Sequence, residues 1–255
     1  MIQRYLFEDY QKSERFFWSS ISSAAACTDD VDMYSTGVNN GYLNPAIQKS
    51  PLTEDAFEKA WNNLQGFYSS QNLPWVWVIE QHPISQNLIE KKSLELIDKS
   101  LAMYIDLRNA FSPNRTDKLV IKENNDDLTD WGLCLCQAYQ SPAEESSQYI
   151  HVKKKQARNG ANFHHFVGYL SMVPVSCLTL SIQEDKARID DVGTIPAHQN
   201  KGFATQMIIF AMQEAFDLGA NHCFLEASQA GARVYERIGF KRLFSNLYFR
   251  ARKRS

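Results

Sequence analysis

Asp191-Val192-Gly193-Thr194-Ile195-Pro196-Ala197-His198-Gln199-Asn200-Lys201-Gly202-Phe203-Ala204-Thr205 decides how the rest of this 255-residue chain is read. An apolar strand runs into a Pro-bearing turn, then Gln-x-x-Gly-x-Ala, then a long amphipathic helix with no ordinary capping residue at its start. A helix N-terminus leaves unpaired backbone N–H groups and carries the positive end of the peptide dipoles, so such a junction suits a phosphate or pyrophosphate. Gly202 stands where a side chain would collide with that group, and Ala204 is small enough to let the loop lie close.

Upstream of this junction, three strand-like runs follow at hairpin spacing: Phe166 to Leu170, Val175 to Ile182 and Lys186 to Ile195. Met172-Val173-Pro174 and Gln183-Glu184-Asp185 separate them. Further back lie a short strand over Lys118 to Lys122 and a helical stripe of Leu128, Trp131, Leu135 and Tyr139, which places Cys134 and Cys136 on a helix. A polar stretch through Lys153-Lys154-Lys155-Gln156 separates that helical stripe from the three strand-like runs. Downstream, Phe203, Met207, Phe210, Ala211 and Ala215 line one side of a helix that ends at Gly219. A strand over Cys223 to Ala227, a helix through Val234-Tyr235 stopped by Gly239-Phe240, and a strand over Leu243 to Ala251 complete the pattern.

Ser112-Pro113-Asn114-Arg115-Thr116-Asp117 is the best boundary signal, giving expected domains at 1–112 and 116–255. In the first, Thr53 can cap a helix with Glu54 and Asp55 in its first turn and Phe57, Trp61, Leu64 and Tyr68 on one face. Leu73-Pro74 breaks the chain before a strand over Trp75 to Ile79, whose Trp75 and Trp77 are read as packing rather than as a pocket lining. A helix over Ser85 to Leu101 and a strand over Ala102 to Leu107 follow. The first half is α/β and carries no chemical motif.

A net charge of −2 offers no general field for nucleic acid or an anionic membrane, and Arg250, Arg252, Lys253 and Arg254 are read as a solvated end. Charge interrupts Met1 to Asp9 too early for a secretory core, and Gly168 and Pro174 break the most apolar run, Phe166 to Leu180. The five cysteines (Cys27, Cys134, Cys136, Cys177, Cys223) lack C-x-x-C spacing and read as ordinary thiols in a reducing compartment, so the expected address is the cytoplasm. Asn114-Arg115-Thr116 then carries no glycosylation meaning. His164-His165 has no metal-site context, and no glycine-rich nucleotide loop of the Rossmann or P-loop kind exists.

Three blocks resemble the GCN5-related N-acetyltransferase superfamily. They are Phe166-Val167-Gly168-Tyr169-Leu170 through Pro174-Val175-Ser176, then Gln199-x-x-Gly202-x-Ala204, then Ala227-Ser228-x-x-Gly231-x-x-Val234-Tyr235-Glu236-Arg237-Ile238-Gly239-Phe240. The resemblance covers 116–255 and implies an α/β (α+β) fold, a mixed and mostly antiparallel sheet with flanking helices. The preceding α/β domain over 1–112 is compatible with a degenerate copy of that fold, but without a glycine phosphate loop it is not expected to bind cofactor.

The resemblance also implies an acetyl-coenzyme A-dependent N-acetyltransferase, without metal, in which a primary amine attacks the thioester directly in a ternary complex. The expected partners are acetyl-coenzyme A and an unidentified amine acceptor, with neither nucleic acid nor membrane. The amides of Gln199, Asn200, Lys201, Gly202, Phe203, Ala204 and Thr205 would hold the diphosphate, with Lys201 adding charge. Backbone groups of Val192, Gly193 and Thr194 would receive the pantetheine arm; Gly193 equally fits a β-bulge. Tyr235 is the implied general acid. Asp190 and Asp191, expected on opposite strand faces so that at most one can serve, and Glu226 are the alternative bases. Ser228 occupies the place where the family often has Asn. The rival reading is a non-catalytic acyl-coenzyme A-binding or protein-interaction module.

Overall fold

The computed structural model describes residues 2–80, 86–110, 118–159 and 162–252. In chain order the elements are α1 (Ile2–Ile21), β1 (Ala24–Cys27), β2 (Val31–Ser35), β3 (Pro45–Gln48), α2 (Glu54–Gln71), β4 (Val76–Glu80), α3 (Gln86–Lys91), β5 (Leu94–Asp106) and β6 (Val120–Glu123). They continue with α4 (Thr129–Tyr139), α5 (Ala143–Asn159), β7 (Phe163–Leu170), β8 (Val173–Gln183), β9 (Lys186–Thr194), α6 (Phe203–Asp217), β10 (His222–Ser228), α7 (Ala232–Ile238) and β11 (Lys241–Ala251). This is a mixed α/β fold with mostly antiparallel pairing and flanking helices.

Two compact units emerge, one of Met1–Ser20 with Ala102–Leu243 and one of Ile21–Leu101 with Phe244–Ser255. They are not 1–112 and 116–255, and the boundary expected at 112–117 lies outside the described residues. The exchange has a physical cause at each end of the chain. Leu6, Tyr10 and Phe17 form the buried stripe of α1, which seats Phe16 on Phe163 (5.1 Å, stacked) and Tyr10 edge-on to Phe224. At the other end, Asn246 to Phe249 pair with Glu80 to Trp77 of β4.

In the larger unit the strand order is β10-β9-β8-β7-β6, antiparallel throughout except for the parallel pair β9–β10, which α6 connects. On one face α6 packs Phe210 against Phe166. On the other lie α1, α4 and α5, with Trp131 of α4 donating to the Leu178 carbonyl at 3.2 Å.

The smaller unit has the order β1-β2-β3-β4-β11 and also holds one parallel pair, β3–β4, connected by α2. Thr53 caps α2 through Ala56 N–H at 3.3 Å. Trp77 stacks on Phe57 (4.8 Å) and Trp75 on Tyr68 (4.9 Å), so both tryptophans pack into or against the core.

Two stretches differ from the sequence reading. The helix expected over 85–101 is only Gln86–Lys91, Ser85 lying outside the described residues. Ser93 takes a left-handed φ of 51°, and β5 begins at Leu94. The polar stretch through Lys153 belongs to the helix α5. Among the described residues no helix is long and apolar enough to cross a membrane.

Candidate functional site

β9 and β10 pair from Lys186↔His222 to Ile189↔Leu225 and then part. Opposite β8, the register slips between Cys177 and Thr179, because Thr179 faces Asp190 while Cys177 faces Gly193. Asp191 supplies the extra residue of this bulge with a φ of 55°, in the left-handed region. The slip resets the alternation of side chains. Val192 and Thr194 therefore line the cleft opened by the parting strands, whose volume is about 1300 Å³. Gly193 points away from it: a Cβ there would lie 3.0 Å from Ala138 Cβ and 3.2 Å from Cys177 Sγ, so this glycine serves the close approach of α4.

The helix end at the cleft is open. Gly202, with a φ of 85°, precedes α6, no side chain caps it, and its first turn holds no acid. The first helical bond runs from Gln206 N–H to the Gly202 carbonyl at 3.0 Å, which leaves the amides of Gly202 to Thr205 without intrahelical acceptors. A Cβ added at Gly202 would meet nothing within 4 Å, so the space beside it is free for a ligand. Gln199, Asn200, Gly202, Phe203, Ala204 and Thr205 line the cleft. Lys201 turns its ammonium to the Ala197 carbonyl at 2.9 Å. The carbonyls of the expected arm-binding segment have partners here: Val192 accepts from Tyr139 (3.3 Å), Gly193 from Ser176 (2.7 Å) and Thr194 from Gln199 (3.1 Å).

Tyr235, half-buried on α7, lines the same cleft with its ring edge-on to Phe240. Burial and the nearby Asp190 push its phenol up to about 12, so it holds its proton at neutral pH. Of the three candidate bases, Glu226 alone is among the residues lining the cleft. Asp190 and Asp191 do not lie on opposite faces, because the bulge places two consecutive side chains on the side of Thr179. Arg188 Nε holds Asp190 at 3.0 Å, while burial still raises that carboxyl to about 6. Burial also works to raise Asp191, but Lys153 Nζ at 2.9 Å and the Tyr149 hydroxyl at 2.8 Å outweigh it and leave the group below its usual value. Ser228 Oγ accepts from Gly231 N–H at 3.1 Å ahead of α7.

Sequence reasoning missed Arg188, Lys153 and Tyr149. Arg188 was visible as a charge inside an apolar strand, which a buried position tolerates only with partners. Lys153 is fully buried, yet sits in a run of lysines that resembles a solvated face. The cysteines do not line the cleft, and burial pushes the thiols of Cys134, Cys177 and Cys223 up, away from the thiolate form. His165 is buried against Thr179 Oγ1 and pushed down to about 3, hence neutral.

Residues 126–240 match the family described as Acetyltransferase (GNAT) family. No curated protein matches the chain. Among solved structures, a GCN5-related N-acetyltransferase from Kribbella flavida is similar at 12% identity and a TM-score of 0.73, over 95% of each chain. One from Sphaerobacter thermophilus gives 15% identity and 0.63, over 86% of this chain and 75% of the other. A tandem GNAT protein from the clavulanic acid biosynthesis pathway gives 8% and 0.59, over 92% and 86%. At these identities the likeness is one of fold, and it extends over the smaller unit as well.

Proposed function

We propose, with residues 126–240 belonging to the acetyltransferase (GNAT) family, that the protein moves an acetyl group from acetyl-coenzyme A to a primary amine. The observation that carries this is the glycine-led, uncapped end of α6 opening into the cleft, since free amides and the helix dipole suit a diphosphate. The Tyr139 and Gln199 side chains on the Val192 and Thr194 carbonyls are the groups an entering pantetheine arm would exchange with. The reaction needs no covalent enzyme intermediate. The amine nitrogen bonds to the thioester carbon, Glu226 takes the nitrogen's proton, and the C–S bond breaks as Tyr235 gives its proton to the departing sulfur. A thiol with an ordinary pKa of about 8.5 leaves readily, so the phenol assists rather than drives the step. Holding amine and thioester together supplies most of the acceleration.

The test is release of free thiol from acetyl-coenzyme A across a panel of amines, peptides and proteins, alongside calorimetric binding. Tyr235→Phe is expected to lower kcat by about 10²-fold with the donor's Kd unchanged. Binding without thiol release from any acceptor would favour the non-catalytic module instead.

A further inference from the structure

Tyr10 lies on α1, outside the family-matched residues, yet its side chain reaches Glu226, which lines the cleft. It is wholly buried, and its hydroxyl stands 3.3 Å from Glu14 Oε1 and 3.4 Å from Glu226 Oε2. The ring is pinned between the Arg188 guanidinium, 5.1 Å from its centroid, and the edge of Phe224. Arg188 Nη2 in turn lies 3.9 Å from Glu14 and 4.0 Å from Glu226. A phenylalanine would fill the same space without the cost of desolvating a hydroxyl, so what the tyrosine adds is its contact with the two carboxylates.

The geometry points to Tyr10 as a positioning residue for Glu226: its hydroxyl, carried by α1, fixes the carboxylate that faces the cleft in the orientation that meets the amine. This rests on the acyl-transfer reading, with Glu226 as base. The proton leaves the amine nitrogen for Glu226, and the phenol keeps its own. Among the described residues, the titratable and charged groups around Glu226 include Tyr10 and Glu14 from α1, Arg188 and Asp190 from β9, and Tyr235 of α7, which lines the same cleft.

Two substitutions give opposite signs. Tyr10→Phe removes a donor to the carboxylate, and the acid limb of the kcat/KM profile moves up by about half a pH unit to one unit. Glu14→Gln removes a neighbouring negative charge and moves that limb down. At neutral pH, Tyr10→Phe lowers kcat by about 10-fold, with KM for acetyl-coenzyme A and the unfolding temperature unchanged. The carboxyl ¹³C titration of Glu226 in the full-length protein shows the same opposed displacements without turnover. A limb and a midpoint that stay put, or move the same way in both variants, overturn the inference. Opposed NMR displacements in a protein that acetylates no amine would keep Tyr10's role on Glu226 and remove the acyl-transfer reading alone.

Discussion

The two units each contain a parallel strand pair joined by a helix, and they treat the start of that helix in opposite ways. In the smaller unit β3 and β4 stay paired from Pro45↔Val76 to Gln48↔Ile79, Thr53 caps α2, and Glu54 and Asp55 fill its first turn. That end is satisfied and negatively charged, which repels an anion. In the larger unit β9 and β10 part after Ile189↔Leu225, and α6 begins at a left-handed glycine with neither a side-chain cap nor an acid. One arrangement favours stability and the other leaves donors for a ligand. The difference between a closed and an open helix end comes down to a few residues.

The sharpest way to break the larger unit's arrangement is at the bulge. Lys153→Met strips Asp191 of its buried cation and should cost about 3–5 kcal/mol, read as a fall in the urea midpoint that shrinks at low pH as Asp191 takes up a proton. Gly202→Val comes next. A β-branched residue at positive φ costs about 1–2 kcal/mol and fills the space beside the amides. The Kd for acetyl-coenzyme A should rise about 100-fold, equivalent to roughly 2.7 kcal/mol; unchanged affinity would remove the loop from the site.

Asp190 tests the same region through pH. Its carboxyl is raised from 3.8 to about 6 in the folded chain, so the fold favours the protonated form. That contribution is fully present below 3.8 and is lost as pH rises through about 6. Asp190→Asn should flatten this fall, which is on the order of 3 kcal/mol, in urea titrations between the two values. The smallest effect belongs to the closed end: Thr53→Ala should cost about 1 kcal/mol of stability and leave acetyl-coenzyme A binding as it was. A loss of binding there would dissolve the contrast between the units.

How much was legible in the sequence follows from how local each signal is. Gln199-x-x-Gly202-x-Ala204, the Thr53 cap and the stripes of α2, α4 and α6 are set within a few residues, and the structure places them as read. The bulge is different. Counting strand alternation from Lys186 puts Asp190 and Asp191 on opposite faces, and only the left-handed turn at Asp191, held by Lys153 and Tyr149 from α5, reverses the count. Leu94 to Leu101 mixes charged and apolar residues at spacings a helix also allows, and Ser93 ends α3 without the usual glycine. α5 hid its buried side because that side is made of Lys153, Tyr149 and Gln156 rather than an apolar stripe.

The contact of Tyr10 with Glu226 joins residues 216 positions apart. At about 5–20 residues per second, a ribosome needs roughly 10–40 s to deliver the second after the first. For most of that interval the buried face of α1 has none of its Arg188, Phe224 or Glu226 neighbours to cover it. Helix α1 is synthesised ahead of all the elements that follow it in this fold and is among the last of them to be seated.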